Sequence, residues 1–300
     1  MKIVKCSKSL LETYNHCSFK YFLQYVLELE TVSGKAAVMG NIVHSVLEWM
    51  ARLKRKGKIC IHPHILLEYS WSMYVKNYGD HGLRKTHSRG ESADFKKCRN
   101  ALDKVLNSVY NPYKLKILDV EDYFAIPLDG LEYKDENNKK QTVHMRGYQD
   151  LVHEIDESTI EIIDWKTGKR QDFYSMKEYD YEALHANIQA RTYHLATYLK
   201  YPQYENVLVT IHFIHDGGPI TLSFNNFDIS NTLTYLYNAI RIIQNDSTIF
   251  RNRSWKCRMC QFEKTKTCDT IWSDLNTTGS EYVKKQYYKL KYKDQEIITK

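Results

Sequence analysis

Thr159-Ile160-Glu161-Ile162-Ile163-Asp164-Trp165-Lys166 is the stretch on which the fold turns. It is rich in β-branched and aromatic residues and follows a polar run from Asp156 to Ser158, so it reads as a strand. Side chains two apart on a strand share a face, so Asp164 and Lys166 emerge together. Upstream, Ile117 to Leu128 and Gln141 to Glu154 carry similar strand patterns. Polar turns are expected at Asp129-Gly130, at Asp135 to Lys140 and at Asp156 to Ser158. These three strands form an antiparallel unit.

Helices surround this unit. Residues 9 to 29 place apolar and aromatic side chains at helical spacing, with Ser7 or Ser9 as a cap, and a second helix is expected from Asn41 to Lys54. The mixed polar stretch between Gly57 and Asn111 reads as a helical elaboration. After the third strand come a helix from Ala183 to Leu199, a strand from Val207 to His215, a Gly217-Gly218-Pro219 turn and a short strand from Ile220 to Phe224. A helix from Asn231 to Gln244 then leads into a cysteine-rich end and a basic tail. The order is helix, three strands, helix, strand, with additions at both ends.

Composition bounds the class. The chain has 300 residues, 43% of them hydrophobic, which is enough for an ordinary buried core. No run of eighteen apolar residues occurs, and Met1 to Leu10 offers no apolar stretch for a signal peptide, so no membrane contact and an intracellular, cytoplasmic location are expected. Seven cysteines, an odd number, argue for reduced thiols and thiolate ligation rather than a disulfide framework. The net charge of +7 favours polyanionic partners without deciding anything alone.

Asp150, near the end of the second strand, joins Asp164 and Lys166 in a chemically useful set. Two carboxylates offer hard oxygen ligands to Mg2+ or Mn2+, and the ammonium can orient or activate a water beside a scissile phosphate. An isolated D-x-K is expected roughly once by chance in a chain of this length, so its context decides. That context is Gly147-Tyr148-Gln149-Asp150, then Asp164-Trp165-Lys166-Thr167-Gly168-Lys169, with Gly40-Asn41-Ile42-Val43-His44 before and Gln189-Ala190-Arg191-Thr192-Tyr193 after. In this order the segments resemble the RecB-type nuclease branch of the PD-(D/E)xK superfamily, over positions 40 to 193. His44 lies on a helix that could bring an imidazole nitrogen to the same ion. Gln189 and Tyr193, four apart, share a helix face where they could contact a nucleic-acid strand or orient the lysine. Glu121 could reach the site through water or lie exposed, and is left out of the candidate set.

The resemblance implies an α/β, restriction-endonuclease-like core: a mixed central sheet flanked by helices, with a helical N-terminal elaboration and a C-terminal cysteine-rich segment. It implies metal held where the second and third strands diverge, and in-line attack of water on phosphorus. Asp150, Asp164, Lys166, Gln189 and Tyr193 are the expected catalytic set, with His44, Asp150 and Asp164 as metal ligands.

Cys257, Cys260 and Cys268 form a C-x2-C-x7-C cluster, in which two thiolates can reach one metal across a tight turn. Cys17, in Tyr14 to Phe22, resembles the N-terminal cysteine of the iron–sulfur nucleases of AddB type and the CRISPR-associated exonucleases. There four thiolates hold a 4Fe-4S cluster that ties the chain ends together. Ser18 stands where those families usually have proline, and the spacing before Cys268 is long. A structural zinc in the same four thiolates, or in Cys257, Cys260 and Cys268 plus a histidine such as His16, is the alternative. Such a staple closes a loop of about 240 residues and would hold the N-terminal helix against the C-terminal segment. Cys6, Cys60 and Cys98 show no ligand spacing and read as ordinary thiols.

Tyr282 to Lys293 interleaves lysines with tyrosines, which suits a single-strand contact as well as a solvated helix. No G-x-x-x-x-G-K-S/T stretch occurs, so the chain carries no P-loop, and its length suits a stand-alone nuclease. The expected organisation is one elaborated nuclease domain over 1–300. Its parts are a catalytic core at about 40–225, a helical insertion at about 57–111, the staple of Cys17 with 257–268, and a basic tail at about 281–300. The expected activity is a metal-dependent exonuclease on single-stranded or end-containing DNA in recombination, repair or phage DNA processing, with recombination or replication proteins as further partners. The rivals are a structure-specific endonuclease and a noncatalytic DNA-binding scaffold.

Overall fold

A computed structural model of the chain describes residues 6–58, 61–78, 83, 86–87, 90–135, 137–172, 175–291 and 295. The first half runs through α1 (Lys8–His16), α2 (Ser18–Tyr21), a π-helical turn (Phe22–Val26), α3 (Lys35–Arg55) and α4 (Pro63–Tyr78). The small strands β1 (Thr86–His87) and β2 (Gly90–Glu91), α5 (Ala93–Leu106), β3 (Lys116–Lys134) and β4 (Lys140–Glu154) follow. The second half holds β5 (Thr159–Lys166), α6 (Tyr181–His185), α7 (Ile188–Lys200), β6 (Asn206–Phe213), β7 (Gly218–Ser223) and α8 (Asn226–Asn245). A 3-10 turn (Trp255–Met259), α9 (Gln261–Lys264), α10 (Thr267–Thr278) and α11 (Ser280–Tyr287) complete it. Among the described residues no helix is long and apolar enough to cross a membrane.

Strands β3 to β7 form one sheet in that order. β4 and β5 are antiparallel, β5 and β6 parallel, and β6 and β7 antiparallel. The parallel pair requires a crossover, which α6 and α7 supply. This is the mixed sheet flanked by helices expected of the α/β class.

The chain gathers into two compact units, residues 33–125 with 147–232, and residues 1–32, 126–146 and 233–300. In the first, α3 buries Val38, Ile42, Val43, Val46, Leu47 and Met50 against Leu67 and Trp71 of α4, Phe95 and Leu102 of α5, and Leu151, Ile163 and Trp165 of the sheet. Burial of each large apolar side chain contributes about 1.5–3 kcal/mol, so α3 is fixed on the sheet by its whole inner stripe. Gly147 is needed for packing on β4: a Cβ there would stand 2.6 Å from the Phe124 ring.

The second unit builds its core from both ends of the chain. Phe19, Phe22, Leu23, Leu27 and Leu29 pack with Phe262 of α9, Ile271 of α10, and Val283 and Tyr287 of α11. Val283 and Tyr287 lie in the expected basic tail, so this half of it is packed, whereas Tyr282 and Tyr288 are exposed. Tyr292 and Lys293 lie outside the described residues.

Several boundaries differ from expectation. The single helix over 9 to 29 breaks at Cys17, which is extended at φ −162° and ψ 103° and caps α2 through its sulfur. The turn at Asp129-Gly130 lies inside β3, where Gly130 adopts φ +84° within a continuous strand. The helix over 183 to 199 is two helices, parted where the Asn187 side chain caps α7. Gly218 and Pro219 belong to β7 rather than to a turn, and the helix expected from Asn231 begins at Asn226.

His194 of α7 is 4% exposed and packs against the rings of Phe224 and Tyr198. Burial pushes its pKa down to about 4; His185 acts in the same direction and Asp228 against it. The unfolded chain takes up this proton near pH 6.5, so the neutral ring's contribution is present above that pH and lost as pH falls toward 4. Urea unfolding at pH 7 and pH 4.5 is expected to cost the wild type about 2–3 kcal/mol more than His194→Gln, and equal losses would contradict it.

Candidate active site

The β4–β5 ladder runs from Glu154–Ile160 to Leu151–Ile163 and stops there. Asp150 and Asp164 come next, where the strands part. The parting frees the N–H of Trp165, and Asp150 Oδ2 accepts it at 2.9 Å. Each acid reaches this gap from a different face. Gln149 bonds into α7, so Asp150 points the other way and meets His44 of α3, Nδ1 to Oδ2 at 3.4 Å. Trp165 is buried against α3, so Asp164 and Lys166 face α7.

On that face Asp164, Lys166, Gln189 and Tyr193 meet. Lys166 Nζ lies 2.6 Å from Asp164 Oδ2 and donates to Gln189 Oε1 at 3.1 Å. Gln189 Nε2 donates to Asp164 Oδ1 at 3.1 Å and to the Tyr193 hydroxyl oxygen at 2.8 Å. Burial, with the charges of Asp164 and Asp150 beside it, holds the Tyr193 hydroxyl well above its usual pKa. Asp164 is 2% exposed, and its buried Oδ2 has no hydrogen bond of ordinary geometry despite the nearby ammonium.

The electrostatics follow from this burial. Burial, with the charge of Asp150, raises the pKa of Asp164 against the pull of Lys166. Burial also works against Asp150, but His44, Lys166 and the Trp165 N–H outweigh it and hold that carboxyl below its usual value. His44 is desolvated as well, yet the charges of Asp150 and Asp164 raise it.

A cavity of about 480 Å³ opens beside His44 and Asp150, lined also by Gly40, Ser45, Glu48, Tyr74, Glu121 and Thr167. Gly40 lets α3 come close to the loop after β5, because a Cβ would stand 2.8 Å from Thr167 Oγ1. Glu121, set aside in the sequence, is part of this lining. Its backbone has φ +49°, a left-handed conformation inside a strand. Such backbone costs about 1–3 kcal/mol and persists where the surroundings impose it. Burial pushes Glu121 up to about 7, with Asp150 and Glu48 adding to the shift. Among the described residues, no group of three or more His, Cys, Asp or Glu side chains stands at the spacing that holds an ion. The donor types around the gap, two carboxylates and an imidazole, suit a divalent cation, and an under-bonded buried carboxylate oxygen is what such an ion would satisfy.

Residues 5–265 match the family model of the PD-(D/E)XK nuclease superfamily. The chain belongs to this superfamily. One subunit of an ATP-dependent helicase/deoxyribonuclease of Streptococcus uberis is 24% identical over 169 residues, which are 54% of this chain and 14% of that protein. The chain thus spans a small part of that relative's length. A candidate exonuclease of Eubacterium rectale, known from its crystal structure, is 12% identical, with 85% of this chain and 88% of that one covered at a TM-score of 0.49.

Cys17, Cys260 and Cys268 of this nuclease-superfamily chain border one apolar cluster, formed by Phe19, Phe262 and their neighbours. Among the described residues, Cys257 is outside that cluster and is linked to the stretch around Cys17 only through the 250–254 segment. Ser254 N–H donates to Cys257 Sγ at 3.4 Å, Asn252 Nδ2 donates to the His16 carbonyl at 2.9 Å, and Phe19 N–H donates to the Phe250 carbonyl at 3.0 Å. The described cysteines are free thiols, and burial pushes Cys268 up to about 12. Cys6 and Cys98 are buried thiols, also raised to about 12 by burial, while Cys60 lies outside the described residues.

Sequence reasoning missed Gln149, which stands beside Asp150 in the motif. Its side chain is 1% exposed and donates to the Tyr193 carbonyl at 2.9 Å and to Thr197 Oγ1 at 2.8 Å, tying α7 to β4. Gln149→Leu leaves these buried groups without their partner and is expected to lower stability by about 1–3 kcal/mol in urea unfolding. An unchanged midpoint would show that the tie is dispensable.

Proposed function

We propose that the chain is a single elaborated nuclease domain that hydrolyses DNA phosphodiester bonds with Mg2+ or Mn2+. We read it as an exonuclease on single-stranded or end-containing DNA, serving recombination, repair or phage-type DNA processing. One observation carries the reading: His44 from α3, Asp150 from β4, and Asp164 and Lys166 from β5 gather around the gap where the two strands part. The similarity to part of a helicase/deoxyribonuclease subunit supports DNA as the substrate and a protein partner.

In this reading His44, Asp150 and Asp164 hold the ion. When bound, a divalent cation lowers the pKa of water and offsets charge on the nonbridging phosphate oxygens. Lys166, steadied by Asp164 and Gln189, orients the attacking water opposite the leaving oxygen and screens the phosphate charge. Gln189 and Tyr193 keep that ammonium in place. Cys17, Cys257, Cys260 and Cys268 are assigned to a 4Fe-4S cluster, with structural zinc as the other occupant that their thiolate chemistry suits.

End-labelled linear and circular single-stranded DNA, each with and without Mn2+, tests the activity. Stepwise loss of nucleotides from the linear substrate alone is expected, with rates down by about a hundredfold or more in Asp164→Ala and Lys166→Ala. Wild-type rates in either folded variant would contradict the assignment, and cleavage of the circle would make the enzyme an endonuclease. For the cysteines, anaerobically purified protein is expected to be brown, with broad visible absorption lost in Cys260→Ser. Colourless protein with stoichiometric zinc would reverse that assignment.

A further inference from the structure

Two tyrosines beside the site have no part in the core. Tyr123 of β3 and Tyr148 of β4 are 47% and 57% exposed, and their ring centroids lie 5.2 Å apart. Aromatic rings that face water this openly forgo burial free energy, which is recovered only when something covers them.

Their neighbours settle which way they face. Gly147 lies beneath the Phe124 ring, which meets the Tyr193 ring of α7, and Gln149 bonds the α7 backbone. Residues 147 and 149 therefore lie on the α7 side of β4, and strand alternation turns Tyr148 and Asp150 toward the side of His44. On β3, Phe124 takes the α7 side and Tyr123 the opposite one, while Glu121 lines the cavity with His44 and Asp150. The tyrosine pair thus borders Glu121 and Asp150 on one face, two residues along each strand. That offset is about 6.7 Å of strand. It is twice the step of about 3.4 Å between stacked bases, room for one base drawn out of its stack.

We propose that Tyr123 and Tyr148 form a stacking platform for an unpaired base of the DNA strand whose phosphate is held at His44, Asp150 and Asp164. The proposal rests on the nuclease reading of that site and specifies its substrate as single-stranded. Every base offers a flat face to an aromatic ring, so such a platform binds without regard to sequence. Bases within a duplex stack on each other and have no free face to give.

Fluorescence anisotropy in EDTA, with a labelled oligothymidylate and a labelled duplex of equal length, reads binding without cleavage. Tyr123→Ala/Tyr148→Ala is expected to raise the Kd for the single strand by about tenfold to a hundredfold and to leave the duplex Kd near wild type. Tyr123→Phe/Tyr148→Phe keeps both rings and is expected to bind like the wild type. An unchanged single-strand Kd in the alanine variant, an equal loss on duplex, or an equal loss in the phenylalanine variant each overturns the platform. Manganese-dependent cleavage by the wild type is scored separately. Cleavage with a failed platform removes only this subsite, whereas a working platform without cleavage removes the nuclease reading.

Discussion

The hydrogen bond from the Trp165 N–H to the Asp150 carboxylate holds the site in register with the fold. Backbone donors stranded in a protein interior cost about 1–3 kcal/mol each, so strands cannot part inside a core unless something takes over their bonds. Here the acid itself does so. Once Asp150 caps the parted strand, its position is set by the backbone of β5, and the Trp165 side chain, 1% exposed, anchors that backbone against α3. His44 rides on the same α3. The imidazole and the carboxylate therefore meet because one apolar core positions both.

Asp164 is less well satisfied than its partner. It is almost fully buried, Lys166 and Gln189 reach its oxygens, and Oδ2 still lacks an aligned donor. Proteins depart from full polar satisfaction chiefly at functional sites, where a ligand completes the set. The same contacts restrain Lys166, so its ammonium has a fixed direction. Gln149, bonding the α7 backbone at Tyr193, extends this preorganisation from the strand to the helix that carries Gln189.

Much of this was legible in the sequence because it follows simple periodicities. The strand over 159–166 has the bounds its β-branched run predicts, Asp164 and Lys166 share a face by alternation, and Gln189 reaches Tyr193 across one helical turn. What escaped breaks those periodicities. Glu121 lines the cavity with a left-handed backbone inside β3, a conformation that nothing in the sequence signals among the neighbouring acids Asp119 and Asp122. The helix over 9 to 29 stops at Cys17 because that residue becomes a cap with extended backbone, although its neighbours keep helical spacing. Asn187, a strong capping residue, did carry a local signal for the start of α7. The turn at Asp129-Gly130 failed because Gly130 takes a positive φ without ending its strand.

The central claim is that His44, Asp150 and Asp164 share a divalent ion at the gap between β4 and β5. Titration of Mn2+ followed by the electron paramagnetic resonance of the free ion measures this without reference to catalysis. The wild type is expected to remove at least one equivalent of Mn2+ from the free signal. Asp150→Asn and Asp164→Asn, shown by circular dichroism to be folded, are expected to leave that equivalent in solution. A wild type that takes up no Mn2+, or an asparagine variant that binds it as tightly as the wild type, would contradict the account.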